Sequence, residues 1–155
     1  SYLSSPKYLS IVFAFLGDST RIKVFLFIFS HYFVNDLLIY LENRINLNYS
    51  KETRAYIINV LHKPGKDLSK EILALVYAEA KNRYKFDKFQ ELADWILFCR
   101  AVFPKQLDSE GYLNSLAQLS YWNCYKLLNK QWKLYEELAD SFPKIIEEIK
   151  ISIHI

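Results

Sequence analysis

Apolar residues dominate the first third of the chain. The segment 22–41, IKVFLFIFSHYFVNDLLIYL, is almost entirely apolar, and its twenty residues match the length that a membrane-spanning helix needs. Lys23, His31, Asn35 and Asp36 interrupt it, and one Asp near the centre of a span costs about 3 kcal/mol on insertion. We therefore interpret this segment as part of a buried core and expect no membrane span.

The stretch 8–28 fits two kinds of structure. The runs YLSIVFAFL and IKVFLFIF are rich in Val, Ile, Phe and Tyr, and the GDST between them could turn a β-hairpin. Helix signals compete with this hairpin, because Ser5 and Pro6 suit a helix start and Gly17 suits a helix end. We favour helices, with residues 20–34 as a central helix that is apolar nearly all round.

The rest of the chain has apolar positions at helical spacing, separated by caps and prolines. We expect Pro143 to start a last short helix, and the alternating tail ISIHI to fray or to pair as an edge strand. A chain of 155 residues suits one domain. The sequence therefore predicts a single all-α domain over 1–155, a compact bundle of seven or eight helices; the alternative is an α+β fold with an N-terminal hairpin in 8–28. The helices predicted after residue 47 lie within 48–65 (capped by Ser50), 67–83 (capped by Asp67 or Ser69), 87–104, 107–128 (capped by Asp108 or Ser109) and 129–142.

Charge and cysteine content exclude several classes of protein. The 20 basic and 17 acidic residues leave a net charge of +3, which is too weak for a typical nucleic-acid-binding domain. Cys99 and Cys124 lie in apolar helical patterns without the paired spacing of a zinc site or the number that a disulfide framework needs. We expect no nucleic-acid partner, no metal and no cofactor.

A few polar residues within apolar runs could carry chemistry. His31 and Asn35 share one face of a helix, but the His-Glu-x-x-His spacing of a helical zinc site is absent. Cys99 next to Arg100 could be a reactive thiolate, although adjacent helical residues point about 100° apart. An enzyme would need His31, Asp36 and Arg100 to converge in one cleft. We lean towards a protein without catalytic activity, in which Arg100 pairs with a carboxylate such as Asp94, Asp36 or Asp108.

Aromatic residues are abundant: 12 Tyr, 11 Phe and 3 Trp make up 17% of the chain. We favour packing in the core for the aromatic residues of the stretch 120–138. An interface or a ligand groove is the alternative, and its candidate interface residues are Tyr121, Trp132 and Tyr135, because exposed Tyr and Trp often dominate binding energy. The segment KNRYKFDK, 81–88, alternates basic and aromatic residues in a way that suits single-stranded nucleic acid. Acidic neighbours dilute it, so we interpret it as a solvated loop.

Three stretches resemble, in order and spacing, a family of bacterial helical proteins of unknown function. They are ETRAYIINVL (52–61), LADWILFCRAVFPKQL (92–107) and YEELADSFPKIIEEI (135–149). The resemblance covers about 35–150 and implies a helical, cytoplasmic protein of bacterial origin, without implying an activity. The chain has CRAVFP where the family has a glycine before the aromatic residue, and YWNCYK where the family has a Tyr-Gly pair.

Two functions from different classes follow from these observations. The first is a non-enzymatic protein-interaction or adaptor domain, with self-association as one form of that interaction. The second is a binder of a small apolar or lipid-like ligand in the helical core, since ligand sites are usually apolar with a few polar groups. The candidate ligand pocket consists of His31, Asn35, Trp95 and Arg100.

Overall fold

The computed structural model describes residues 49–103 and 110–154, and within these ranges the chain forms five helices and no strand. The all-α prediction is confirmed for this part of the chain. The predicted hairpin or helix in 8–28 and the central helix over 20–34 lie outside the described residues. The five helices are α1 (Lys51–His62), α2 (Leu73–Arg83), α3 (Phe86–Val102), α4 (Glu110–Leu127) and α5 (Lys133–His154).

Helix α1 begins and ends where the sequence predicts. The Ser50 hydroxyl accepts a hydrogen bond from the Thr53 N–H at 3.2 Å, which satisfies one of the free donors of the first turn. The helix ends at His62, and the chain then turns through Pro64 and Gly65, whose φ of +82° is readily available only to glycine.

Helix α2 begins later than the prediction from Asp67 or Ser69. The Asp67 carboxylate accepts a hydrogen bond from the Ser69 N–H at 2.8 Å, so it stabilises a local turn and caps no helix. Only Tyr84 and Lys85 separate α2 from α3. Tyr84 adopts the left-handed conformation, and the Lys85 N–H donates to the Ala80 carbonyl at 3.2 Å, which closes α2 and reverses the chain.

Helix α3 is the centre of the described bundle and contacts the other four helices. Because α3 is surrounded, apolar residues occur on every side of it. Its buried apolar residues are Phe89, Leu92, Ala93, Trp95, Ile96, Leu97, Phe98, Cys99, Ala101 and Val102.

Helix α5 runs without a break through Pro143 to His154. The predicted short last helix beginning at Pro143 and the predicted strand or frayed tail are therefore wrong for the residues up to His154. Proline has no N–H to donate to the carbonyl four residues earlier, which here belongs to Ala139. The Gln118 side chain on α4 donates a hydrogen bond to this carbonyl at 2.9 Å. The tertiary contact thus supplies the donor that the proline removes.

We expect Gln118→Leu to lower the free energy of unfolding by about 1–3 kcal/mol, because it leaves the half-buried Ala139 carbonyl without a donor. In a Pro143→Ala background the same substitution should cost less, since the alanine that replaces the proline has a backbone N–H that could donate to that carbonyl. A double-mutant cycle measured by urea unfolding gives this coupling. Equal costs in the two backgrounds would contradict the assignment.

Candidate functional site

Three helices bring a carboxyl group and two phenols together in the core. The Tyr56 hydroxyl on α1 donates to Oδ1 of Asp94 on α3 at 2.6 Å, and the Tyr121 hydroxyl on α4 donates to the same oxygen at 2.8 Å. Tyr121 is fully buried, whereas Asp94 and Tyr56 are partly buried. Asp94 is thus held by tyrosines and does not pair with Arg100. Asp36 and Asp108, the other carboxylates considered for Arg100, lie outside the described residues.

Gln90 and Tyr135 extend this group to a fourth helix. The Gln90 amide donates to the Tyr135 hydroxyl at 2.9 Å and to the Tyr56 hydroxyl at 3.3 Å. The Tyr56 ring meets the Tyr121 and Tyr135 rings edge to face, with centroids 6.2 and 5.7 Å away, a favoured aromatic geometry. We name these five residues, Tyr56, Gln90, Asp94, Tyr121 and Tyr135, the tyrosine–aspartate cluster.

Burial raises the pKa of Asp94 to about 6, although hydrogen bonds from Tyr56 and Tyr121 act in the opposite direction. Burial, and next the nearby Asp94, raise the pKa of both phenols, so they stay protonated and act as donors. Among the described residues, no donor reaches Oδ2 of Asp94. That oxygen can therefore carry the proton while Oδ1 accepts both phenols. The cluster can hold a proton, but it presents no free nucleophile.

A second carboxylate joins α5 to the start of α1. Glu137 accepts hydrogen bonds from the Ser50 N–H at 3.1 Å and the Ser50 hydroxyl at 2.8 Å, and it also accepts the Thr53 hydroxyl. Burial raises the pKa of Glu137, but the bonds from Thr53 and Ser50, together with the charge of Lys133, lower it by more, so the net pKa is below its usual value. Glu137 is therefore ionised at neutral pH and fixes the N-terminus of α1.

Neither cysteine has the surroundings of a reactive thiol. Cys99 and Cys124 are both free and buried. Burial raises the pKa of each thiol, and the nearby carboxylates Asp67 and Asp94, respectively, raise it further. No group of three His, Cys, Asp or Glu residues within 49–103 and 110–154 could hold a metal ion.

The three residues of the candidate interface do not share one surface. Tyr121 and Tyr135 are buried in the tyrosine–aspartate cluster, whereas the Trp132 side chain is 57% exposed. Of these three residues, only Trp132 is available to a partner. Helical spacing placed all three in one group, but the burial of Tyr121 and Tyr135 depends on how α4 and α5 pack on α3.

The candidate ligand pocket is only partly within the described residues. Trp95 and Arg100 are both buried on α3. The Trp95 ring lies 6.1 Å from the Phe98 ring, and Arg100 Nε donates to Asn114 Oδ1 on α4 at 3.2 Å. His31 and Asn35 lie outside the described residues, as does Asp36 of the enzyme hypothesis. The apolar-ligand function therefore stays a prediction.

Sequence reasoning missed the tyrosine–aspartate cluster as a unit. One signal was present: Asp94 interrupts the run ELADWILFC, 91–99, and a carboxyl group in an apolar helix needs partners. The sequence does not identify the hydrogen-bond partners of Asp94. Tyr56 and Tyr121 lie 38 and 27 residues away along the chain.

Comparisons with known proteins give no independent guide to the activity. The sequence matches no protein-family model, and neither the curated proteins nor the solved structures give a significant match. The resemblance to bacterial helical proteins stays a prediction. Within the described ranges, no helix combines the length and apolar character needed to cross a membrane.

Proposed function

We propose that this chain is a non-enzymatic protein-interaction domain that self-associates through α2. The observation that carries the proposal is the apolar surface of this helix. Ile72, directly before α2, is 66% exposed and Leu75 is 63% exposed. With the exposed Ala78 they follow a spacing of three residues, which places them on one face of the helix.

The charges along α2 support an antiparallel pair of these helices. The exposed Glu71 lies just before the helix and the exposed Lys81 lies in its last turn. A two-fold axis crossing the middle of α2 would bring Glu71 of one copy near Lys81 of the other. It would also place Leu75 near the small Ala78 of the second copy. The N-terminus of α2 in one copy would then lie beside the C-terminus of α2 in the other copy. Their opposite partial charges attract each other.

The chemistry of the described core supports a binding role. Asp94 and Glu137 are engaged by hydroxyl groups, and burial disfavours both thiolates. The two carboxyl groups hold helices together. Binding to another molecule would therefore use the exposed surfaces of the described residues.

We expect Leu75→Glu to convert a dimer into a monomer, because each dimer would bury two new carboxylates against apolar side chains. Sedimentation equilibrium should give about twice the chain mass of 18.4 kDa for the unchanged protein and the single chain mass for the variant. Circular dichroism should show unchanged helix content, since Leu75 is largely exposed.

Ile151→Glu is the matched control. Ile151 is also an exposed aliphatic residue, but it lies near the end of α5, so this variant should remain dimeric. If the unchanged protein sediments as a monomer at every protein concentration measured, self-association is refuted. A Leu75→Glu variant that stays dimeric would show that α2 is not the interface.

A further inference from the structure

Two chain reversals lie at the same end of the bundle. The first is the α2–α3 junction and the second is the turn between α4 and α5. Phe86, at the start of α3, has its ring 5.5 Å from the Tyr135 ring at the start of α5. The Cys124 thiol near the end of α4 lies 4.0 Å from the Phe86 carbonyl. Segments that are far apart in sequence, 38 residues in the contact between Cys124 and Phe86, therefore meet at one end.

This end presents aromatic and basic side chains to solvent. The Tyr84 side chain is 77% exposed and Trp132 is 57% exposed. Four exposed lysines accompany them. We name this set the basic end: Tyr84, Lys85, Lys126, Lys130, Trp132 and Lys133.

The charge of the basic end is only partly offset within the described part of the chain. None of its four lysines forms an ion pair with a described residue, although Lys133 lowers the pKa of Glu137. The neighbouring pairs are Arg83–Glu79 and Lys88–Glu91, each at 3.6 Å. Asp87 is an exposed acidic residue nearby in sequence. The lysines thus leave a local positive potential that the net charge of +3 conceals.

Each of the two reversals has a left-handed backbone at a residue type that rarely adopts it, Tyr84 in the first and Lys130 in the second. Tyr84, Asn129 and Lys130 have φ values of 50°, 56° and 59°, and they are the non-glycine residues with positive φ in the described part of the chain. Glycine adopts this conformation without steric cost. Outliers of this kind are concentrated at functional sites. Tyr84 and Lys130 thus supply an aromatic ring and a charge at positions where the backbone favours glycine.

The geometry points to single-stranded nucleic acid as the ligand of the basic end. Aromatic rings stack on bases with little preference for sequence, and lysines neutralise the phosphates between them. Asn129 and Gln131, which flank Lys130, are also exposed, and side-chain amides of this kind hydrogen-bond base edges. Tyr84 and Trp132 each stack on a base, while Lys85, Lys126, Lys130 and Lys133 contact the backbone.

An anionic membrane surface has similar charge requirements but needs apolar side chains that insert. The aliphatic residues near the basic end, Leu127, Leu128 and Leu134, are half-buried. Ile72 and Leu75 are the most exposed aliphatic residues of the described chain, and they lie at the start of α2. The basic end lies at the other end of that helix. The exposed aromatics with polar neighbours therefore favour the nucleic acid.

The test is fluorescence anisotropy of a labelled 20-nucleotide oligo(U) titrated with the full chain. Tyr84→Gly should weaken binding by about 5- to 150-fold, the usual effect of losing one stacked base. Lys130→Gly should reduce both the affinity and its salt dependence. Four phosphate contacts predict a loss of about 50-fold in affinity between 50 and 200 mM salt. Neither variant should lower the melting temperature, since glycine suits both positions.

Tyr112→Ala and Lys144→Ala are the matched controls, because both residues are exposed and lie outside the basic end. Both variants should bind as the unchanged protein does. Absence of binding to the oligonucleotide would overturn the proposal, as would equal affinity for a duplex, because a duplex offers no free bases for stacking. Binding to phosphatidylserine vesicles without binding to oligo(U) would assign the basic end to a membrane instead. Unchanged affinity of Tyr84→Gly would also overturn it.

Discussion

Replacing Asp94 by Ala is expected to lower the free energy of unfolding by about 2–5 kcal/mol at pH 4.5. The substitution removes the acceptor of both the Tyr56 and Tyr121 hydroxyls, and each buried donor left without a partner costs about 1–3 kcal/mol. Tyr121 has no access to water in its place, because it is fully buried. Urea unfolding followed by tryptophan fluorescence measures the change.

The effect of Asp94→Ala should become smaller as the pH rises to 8. Asp94 has a pKa of about 6 in the folded protein, above the ordinary value of 3.8. A raised pKa contributes stability that is fully present below the ordinary value and is lost as the pH rises through 6. The difference of about two pH units corresponds to about 3 kcal/mol in all, of which about 2 kcal/mol is lost between pH 4.5 and pH 8. The ionised carboxylate thus contributes less than the acid.

Asp94→Asn is the matched control for this prediction. An asparagine keeps an oxygen that can accept both phenols, since both bonds go to the single atom Oδ1. The variant should therefore lose less stability than Asp94→Ala at pH 4.5. It should also lack the part of the pH dependence between about 4 and 6 that Asp94 contributes. An Asn variant with the full pH dependence would refute the raised pKa.

The second large effect is expected for Glu137→Ala, which should lower the free energy of unfolding by about 2–4 kcal/mol at pH 7. This substitution leaves the Ser50 N–H and the Thr53 hydroxyl without their acceptor, and Thr53 is fully buried. It also removes polar contacts that tie α1 to α5. Thermal and urea unfolding give the magnitude.

The pH dependence of Glu137 has the opposite sign to that of Asp94. Its pKa is lowered in the folded protein, so its contribution is present above the ordinary value of 4.5 and is lost as the pH falls through the folded value. Glu147→Ala is the matched control, because Glu147 is exposed and its hydrogen bond to Lys150 is a 3.4 Å contact within one helix. Its loss should change stability by less than about 0.5 kcal/mol. If Glu137→Ala also changed the free energy of unfolding by less than about 0.5 kcal/mol, Glu137 would not be fixing the N-terminus of α1.

Both carboxyl groups attach α1 to the remaining helices. Tyr56 joins α1 to Asp94, and Ser50 joins it to Glu137, while Ile57, Val60 and Leu61 supply its buried apolar contacts. A twelve-residue helix is only marginally stable alone. We therefore attribute the position of α1 to these polar contacts together with its apolar face.

Local signals in the sequence determined several elements of this protein. The Ser50 cap and the Pro64-Gly65 stop set the limits of α1, since both act through bonds within a few residues. Pro104 likewise marks where α3 had to end, and that helix closes with Val102. The sequence also predicts a break at YKFDKF, 84–89, but the structure limits it to Tyr84 and Lys85, because α3 already begins at Phe86. The positive φ at Tyr84 could not be read from the sequence.

Only the tertiary structure decided whether Pro143 ends a helix. The sequence rule treats proline as a break because an acceptor is left unsatisfied. Gln118, 21 residues away from Ala139, supplies the missing donor, so α5 continues. The tail up to His154 continues the same helix, in which Ile145, Ile146 and Ile149 are buried.

For residues 49–103 and 110–154, the sequence by itself determined the helical fold and the apolar character of α3, since periodicity is a local property. Only the tertiary structure decided which polar groups meet. Of the three candidate interface residues, Tyr121 and Tyr135 are buried near Asp94, and Trp132 is exposed. The basic end joins Tyr84 and Trp132 across the chain, because helix packing brings together residues that no sequence pattern connects.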